Sequence, residues 1–182
     1  MHPTLLLIDI QNDYFAGGAM ALPHSTEAGS CAQALLAHWR TLGGPVIHMQ
    51  HIAKRAGATF FLPGSAGAEI HACVKPLASE TVIQKNFPNC FRETDLLQQL
   101  TSLGSRELVI AGMMSQLCVD TTTRAAADLG FACTLAHDAC AARALSFQDT
   151  ALSAEQVHAA YMAALSGSFA KVVSVESLVS GA

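Results

Sequence analysis

Charge is scarce in this chain, and so are aromatic rings. Only 13% of its 182 residues are charged and 6% are Phe, Trp or Tyr, with a single tryptophan. Lys and Arg number 10 against 14 acidic residues, for a net charge of −4. That balance argues against nucleic acid as a partner, because a phosphate backbone demands a basic face. No apolar run approaches the ~20 residues that cross a bilayer, so no membrane partner is expected. The opening Met1-His2-Pro3-Thr4 lacks a basic region, and the first apolar run stops at Asp9, so no secretory leader is expected. The six cysteines form no CxxC pair, and their spacing with histidine is not that of a zinc site. A chain of this length needs no disulfide staples, which points to free thiols in a reducing cytoplasm. Internal repeats, linkers and low-complexity tracts are also missing.

What the chain has in quantity is apolar side chains, 51% of the total. Its length fits one domain over residues 1–182, which buries about 70% of the unfolded surface. So apolar a composition in a chain of this size predicts a covering subunit, as a homodimer or higher homo-oligomer.

Short apolar runs alternate with helical patterns. Strands are predicted at Leu5–Ile8, Pro45–Met49, Thr81–Gln84, Glu107–Ala111, Phe131–Ala136 and Lys171–Val175. Helices are predicted at Thr26–Thr41, Asp95–Leu103, Ser115–Leu129 and Ala154–Leu165, with Gly43 and Gly130 as stops. The stretch Ile52–Ser79 is long and rich in Gly and Pro, and its Phe60, Phe61 and Leu62 mark it as a packed loop near a site. This order gives an α/β fold: a three-layer α/β/α sandwich with a six-stranded, mainly parallel, doubly wound sheet.

Ligands of such sheets bind beyond the carboxyl ends of the strands. Three chemically able residues fall there. Asp9 ends the first strand, Lys85 ends the third, and Cys118 follows the turn at Gly112. A thiol at a helix start is favoured as thiolate, the nucleophilic form, by unpaired N–H groups and the helix dipole. Asp9 could serve as general base and Lys85 as the cation that keeps both partners charged. Alone, Asp9 reads equally as a cap and Lys85 as a solvated strand end. Ser115 can cap the helix through its hydroxyl.

Three stretches taken together resemble a known family. Leu6-Leu7-Ile8-Asp9-Ile10-Gln11-Asn12-Asp13-Tyr14-Phe15, then Lys85-Asn86-Phe87-Pro88-Asn89-Cys90-Phe91, then Gly112-Met113-Met114-Ser115-Gln116-Leu117-Cys118-Val119-Asp120-Thr121-Thr122 resemble the isochorismatase-like cysteine hydrolases, in the family's order and over nearly the whole chain. The resemblance implies an Asp9–Lys85–Cys118 triad. It implies a non-proline cis peptide between Met113 and Met114, and an oxyanion hole made by the N–H groups of Met114 and Cys118. The thiol sets the chain apart from the isochorismatases proper and aligns it with the amidase-type members, which cleave C–N bonds of small molecules through a thioester. Nicotinamidase-like members carry an Asp-x-His metal site after the second strand. Here that region reads His48-Met49-Gln50-His51-Ile52 without the carboxylate, so no metal and no cofactor are expected. Phe15, Phe60, Phe61 and Phe91 are expected to wall a small-molecule pocket, with Gln11, His51 and Gln116 at its polar edge. Two other classes remain open: a thiol redox protein using Cys118 with Cys90 or Cys73, and a non-catalytic assembly subunit.

Overall fold

A computed structural model describes residues 2–180. Its main sheet has six strands, β1 (Thr4–Ile8), β2 (Val46–His51), β3 (Thr81–Lys85), β4 (Glu107–Met113), β5 (Ala132–Ala141) and β8 (Lys171–Val173). They lie in the order β3-β2-β1-β4-β5-β8, and every neighbouring pair is parallel. Between β5 and β8, the strands β6 (Leu145–Phe147) and β7 (Thr150–Leu152) make a separate antiparallel hairpin. The helices are α1 (Ser25–Leu42), α2 (Leu96–Ser102), α3 (Asp120–Asp128), α4 (Ala154–Leu165) and α5 (Val175–Val179).

The two faces of β1 explain the three layers. Successive strand side chains point to opposite faces. Leu5 and Leu7 pack with Ala32, Leu35, Leu36 and Trp39 of α1 and Val175 of α5. Leu6 and Ile8 pack in a second core with Leu96 and Leu100 of α2, Ala126 of α3, and Met162 and Leu165 of α4. Being buried on both sides, β1 carries no polar side chain between Thr4 and Asp9.

From β1 the chain winds outward to β2 and β3, then crosses back to β4 on the other flank. The strand order therefore reverses between β1 and β4, and the crevice beyond their carboxyl ends is the natural place for a ligand. Gly112 allows these two strands to close up there. It has φ +140°, and a Cβ at this position would collide with the carbonyl of Ile8.

The structure departs from the sequence reading in a few places. β4 and β5 run longer than expected, to Met113 and Ala141, and their register shifts between Ile110 and Gly112. The last strand ends at Val173, and Val175 instead opens the short α5 beneath the Ser174 cap. The β6–β7 hairpin had no usable alternation, since its strands are three residues each and largely exposed. The stretch after β2 is indeed a packed loop. Phe61 is almost wholly buried, and Gln11 bridges to Ile70.

Candidate active site

The peptide between Met113 and Met114 is cis. Immediately after it, Ser115–Val119 forms a single π-helical turn in which the Val119 N–H donates to the Met114 carbonyl. Cys118 sits inside that wide turn, and α3 proper begins only at Asp120. Ser115 does not cap the helix as expected. Its hydroxyl pairs with His158 Nδ1 at 2.9 Å and so ties the turn to α4.

Asp9 lies one residue beyond β1 in the left-handed region, with φ 51°, and is completely buried. Lys85 ends the edge strand β3 opposite His51 of β2, and its side chain reaches past the end of β2 to Asp9. The ammonium uses all three of its protons. It donates to Asp9 Oδ2 at 2.7 Å, to His51 Nδ1 at 3.2 Å and to the Phe87 carbonyl at 3.1 Å. Burial works against the charge on Lys85, but the Asp9 carboxylate outweighs it and raises the pKa above the ordinary lysine value. Lys85 is thus a fixed cation.

The other carboxylate oxygen, Asp9 Oδ1, has no hydrogen-bond partner among the described residues. A carboxylate oxygen of Asp9, a ring nitrogen of His51 and the Cys118 sulfur all lie within 4.8 Å of one another. The three sequence-predicted residues therefore meet, although their strands are separated by β2 and by the crossover from β3 to β4.

The protonation of the sulfur differs from the sequence expectation. Burial pushes the Cys118 thiol well above its usual range, and the Asp9 charge pushes it further. Lys85 opposes this but does not win. The resting form is the thiol, because desolvation of an anion outweighs what one cation and a helix start contribute. His51 is lowered, first by burial and also by Lys85, with Asp9 opposing. A neutral ring that accepts at Nδ1 carries its proton on Nε2.

Cys118 lies on the wall of an open cavity of about 700 Å³, within the range of small-molecule sites. His51, Phe60 and Phe61 line it as expected. Gln11, Phe15, Phe91 and Gln116 do not. The Gln11 amide is consumed as a brace, donating to the His51 and Ala68 carbonyls and accepting from the His51 N–H. Phe15 stacks on His71 at 3.6 Å in the α1 core, and Phe91 packs near Phe131. Gln116 is buried, with its Nε2 directed at Met114 Sδ. The cavity instead uses Tyr14, Phe87 and Arg143, which sequence reasoning missed. Tyr14 adjoins the Asp9 motif, and its position beside Asp13 was the available signal. Asp13 accepts from the Phe61 N–H at 2.6 Å and so holds the aromatic loop over the cavity.

Asp9, His51 and Cys118 are the one His/Cys/acid group among the described residues with metal-ligand spacing. A divalent ion would have to compete there with an ammonium that already occupies Asp9 Oδ2 and His51 Nδ1. The donor set therefore fits a metal poorly. The two other thiols named from the sequence are also unsuited to redox exchange as they stand. Burial pushes Cys73 up to about 11 and Cys90 up to about 12, far from the thiolate that such chemistry requires.

A parallel three-layer α/β fold thus gathers a thiol, a carboxylate and a lysine at its switch point. Residues 3–177 match the Isochorismatase domain, and the chain belongs to that family of hydrolases. It is 48% identical over 179 residues to the Bacillus subtilis (strain 168) isochorismatase family protein YddQ, covering 98% of this chain and 99% of that one. It is 35% identical over 136 residues to a streptothricin hydrolase of Streptomyces noursei, covering 75% of this chain but 48% of the relative. A crystal structure from Oleispira antarctica, of a protein assigned to the isochorismatase hydrolases, superposes with a TM-score of 0.95 at 45% identity, covering 98% of this chain and 96% of that one.

Proposed function

We propose that the protein hydrolyses an amide or related C–N bond of a small molecule through a thioester on Cys118. The observation that carries this reading is the division of labour within one buried carboxylate. Asp9 Oδ2 is held by Lys85, Oδ1 is unfilled, and a carboxylate oxygen of this residue lies within 4.8 Å of the sulfur of a protonated thiol at a cavity wall. A free carboxylate oxygen beside a thiol is a general base in waiting.

In this mechanism Asp9 takes the thiol proton as Cys118 attacks the substrate carbonyl. The oxyanion is held by the N–H groups of Met114 and Cys118. Asp9 then gives its proton to the departing amine, leaving the acyl group on sulfur. A water enters, Asp9 removes its proton, and the hydroxide displaces the sulfur. The carboxylic acid leaves, and the remaining proton returns to Cys118. Lys85 holds the carboxylate in place through both half-reactions, and the His51 Nε2 proton and the Tyr14 hydroxyl are available to orient the substrate.

The reading extends to assembly and location. Phe147 is 75% exposed on the β6–β7 hairpin and Leu152 follows it, an apolar face suited to a homodimer or higher homo-oligomer in a reducing cytoplasm. Size-exclusion chromatography with light scattering checks this. No described helix is long and apolar enough to cross a membrane.

The chemistry is tested by offering a panel of small amides and ureas and reading ammonia release, with intact-mass detection of an acyl adduct. The adduct is expected on Cys118 and absent in Cys118→Ala. Turnover by Cys118→Ala at the parent rate would falsify the mechanism.

A further inference from the structure

The cavity that leads to Cys118 has an unusual rim for a chain with so few cations. Lys54 and Arg55, on the loop after β2, and Arg143, just beyond β5, all lie on its wall. Three of the chain's 10 Lys and Arg residues thus converge on one crevice of a protein whose net charge is −4, while Lys85 is paired with Asp9.

The rim cations are also unpaired. Arg40, Arg92 and Arg124 each have an acidic partner, whereas Lys54, Arg55 and Arg143 have none among the described residues. The single acid on the cavity wall, Glu93, is turned towards Arg92, at 3.8 Å. Asp9 is neutralised by Lys85, and His51 is uncharged. The cavity therefore presents a net positive mouth, with three cations on its wall against the Glu93 carboxylate. The same lining carries Phe60, Phe61, Phe87 and Leu117 as apolar wall beside Cys118.

We infer that the substrate is an anionic amide: a scissile carbonyl at Cys118, an apolar body against the phenylalanines, and a carboxylate at the mouth facing Arg143, Lys54 and Arg55. Arg143 and Arg55 each carry a guanidinium that can match a carboxylate in two parallel hydrogen bonds, but Arg143 stands two residues beyond the sheet strand β5 while Arg55 sits on the loop after β2, which makes Arg143 the specificity-determining residue of the three. The two loop cations supply field rather than geometry, steering the anion into the cavity. This inference rests on the hydrolase reading for its orientation, but the charge preference can be measured without any turnover.

The experiment is isothermal titration calorimetry on the full-length Cys118→Ala protein with three probes of one shape: 4-carbamoylbenzoate, benzamide and 4-(aminomethyl)benzamide. At low ionic strength the anion is expected to bind at least about tenfold more tightly than benzamide, and the cation more weakly than either. Arg143→Gln should reduce the anion's advantage to about threefold or less, and Lys54→Gln with Arg55→Gln should reduce it by a smaller factor. Raising the salt to about 0.5 M should erode the advantage in the parent and barely change benzamide binding. Equal affinities for the three probes, no binding of 4-carbamoylbenzoate at about 10 mM, or an advantage untouched by both Arg143→Gln and salt would each overturn the inference. The hydrolytic reading fails separately, through the absence of any Cys118 acyl adduct in the amide panel. Such a failure leaves the binding order standing, and turnover of benzamide without charge preference does the reverse.

Discussion

The strand β3 has a charged cluster at each end, and the two clusters are built to opposite purposes. At its start, Glu80 accepts from Arg40 Nε at 2.7 Å, Arg40 Nη2 at 2.8 Å, the Leu77 N–H at 2.9 Å and His48 Nε2 at 3.0 Å. Burial alone would raise the Glu80 pKa, but these donors outweigh it and hold it at about 2. Both Glu80 oxygens are filled, although His48 Nδ1 has no partner among the described residues, and the cluster fastens α1, β2 and β3 together. At the far end, Lys85 is equally saturated but its partner is not, since Asp9 Oδ1 is left open on a carboxylate that lies near a thiol. A buried ionic group with all its partners is a fastener. The same group with one position left free, next to a nucleophile and a cavity, is equipped for chemistry.

The largest expected effects fall at the open cluster. Asp9→Asn should lower kcat by about a thousandfold, because the base is gone while the shape remains. It should also destabilise the fold by about 3 kcal/mol, because Lys85 is left buried without a counter-charge. Adding Lys85→Met to Asp9→Asn should restore the melting temperature and none of the activity. Recovery of turnover in that double variant, by amide hydrolysis assay, would break the contrast between the two clusters.

At the filled cluster the order reverses. Glu80→Gln should cost about 2–3 kcal/mol in urea unfolding and leave kcat within about twofold. A large loss of kcat with unchanged stability would mean that Glu80 is no mere fastener. A pH titration sharpens the point. The folded-state pKa of Glu80, about 2, lies below the ordinary glutamate value of roughly 4.3. Its contribution is therefore present in full above the ordinary value and is lost as pH falls towards 2. Unfolding free energy measured across that acid range should fall less steeply in Glu80→Gln than in the parent.

The smallest effect belongs to a half-buried pair on α3. Asp120 and Arg124 meet at 2.9 Å with an i,i+4 spacing. Asp120→Asn should change stability by less than about 0.5 kcal/mol, since partly exposed pairs are screened and entropically costly. A change as large as that of Glu80→Gln would show that burial is not what separates the two kinds of pair.

Much of this site was legible in the chain itself. The continuous apolar run that ends in Asp9 and the short β-prone stretch Thr81-Val82-Ile83-Gln84 that ends in Lys85 give both their strand positions and their common rim, because a parallel sheet puts all carboxyl ends on one side. The aromatic loop also announced itself, as Phe60 and Phe61 in a stretch otherwise rich in glycine and small residues. Other assignments failed for want of direction. Phe15 and Gln11 belong to the right motif, yet Phe15 faces α1, and the Gln11 amide is spent on backbone groups of β2 and the loop. Residue type does not say which way a side chain points once the strand has ended. Arg143 was invisible for a related reason. It follows an unremarked extension of β5 and reaches the cavity only because β5 pairs with β4 as far as Met113 and Ala141.

The sequence by itself determined the layers, the winding and the trio of acid, amine and thiol, since period, burial and strand ends are local properties of a chain. The tertiary structure alone decided which carboxylate oxygen is free, that the sulfur rests protonated, and which cations ring the cavity. Those are matters of distance and desolvation between segments far apart in the chain, and no local pattern encodes them.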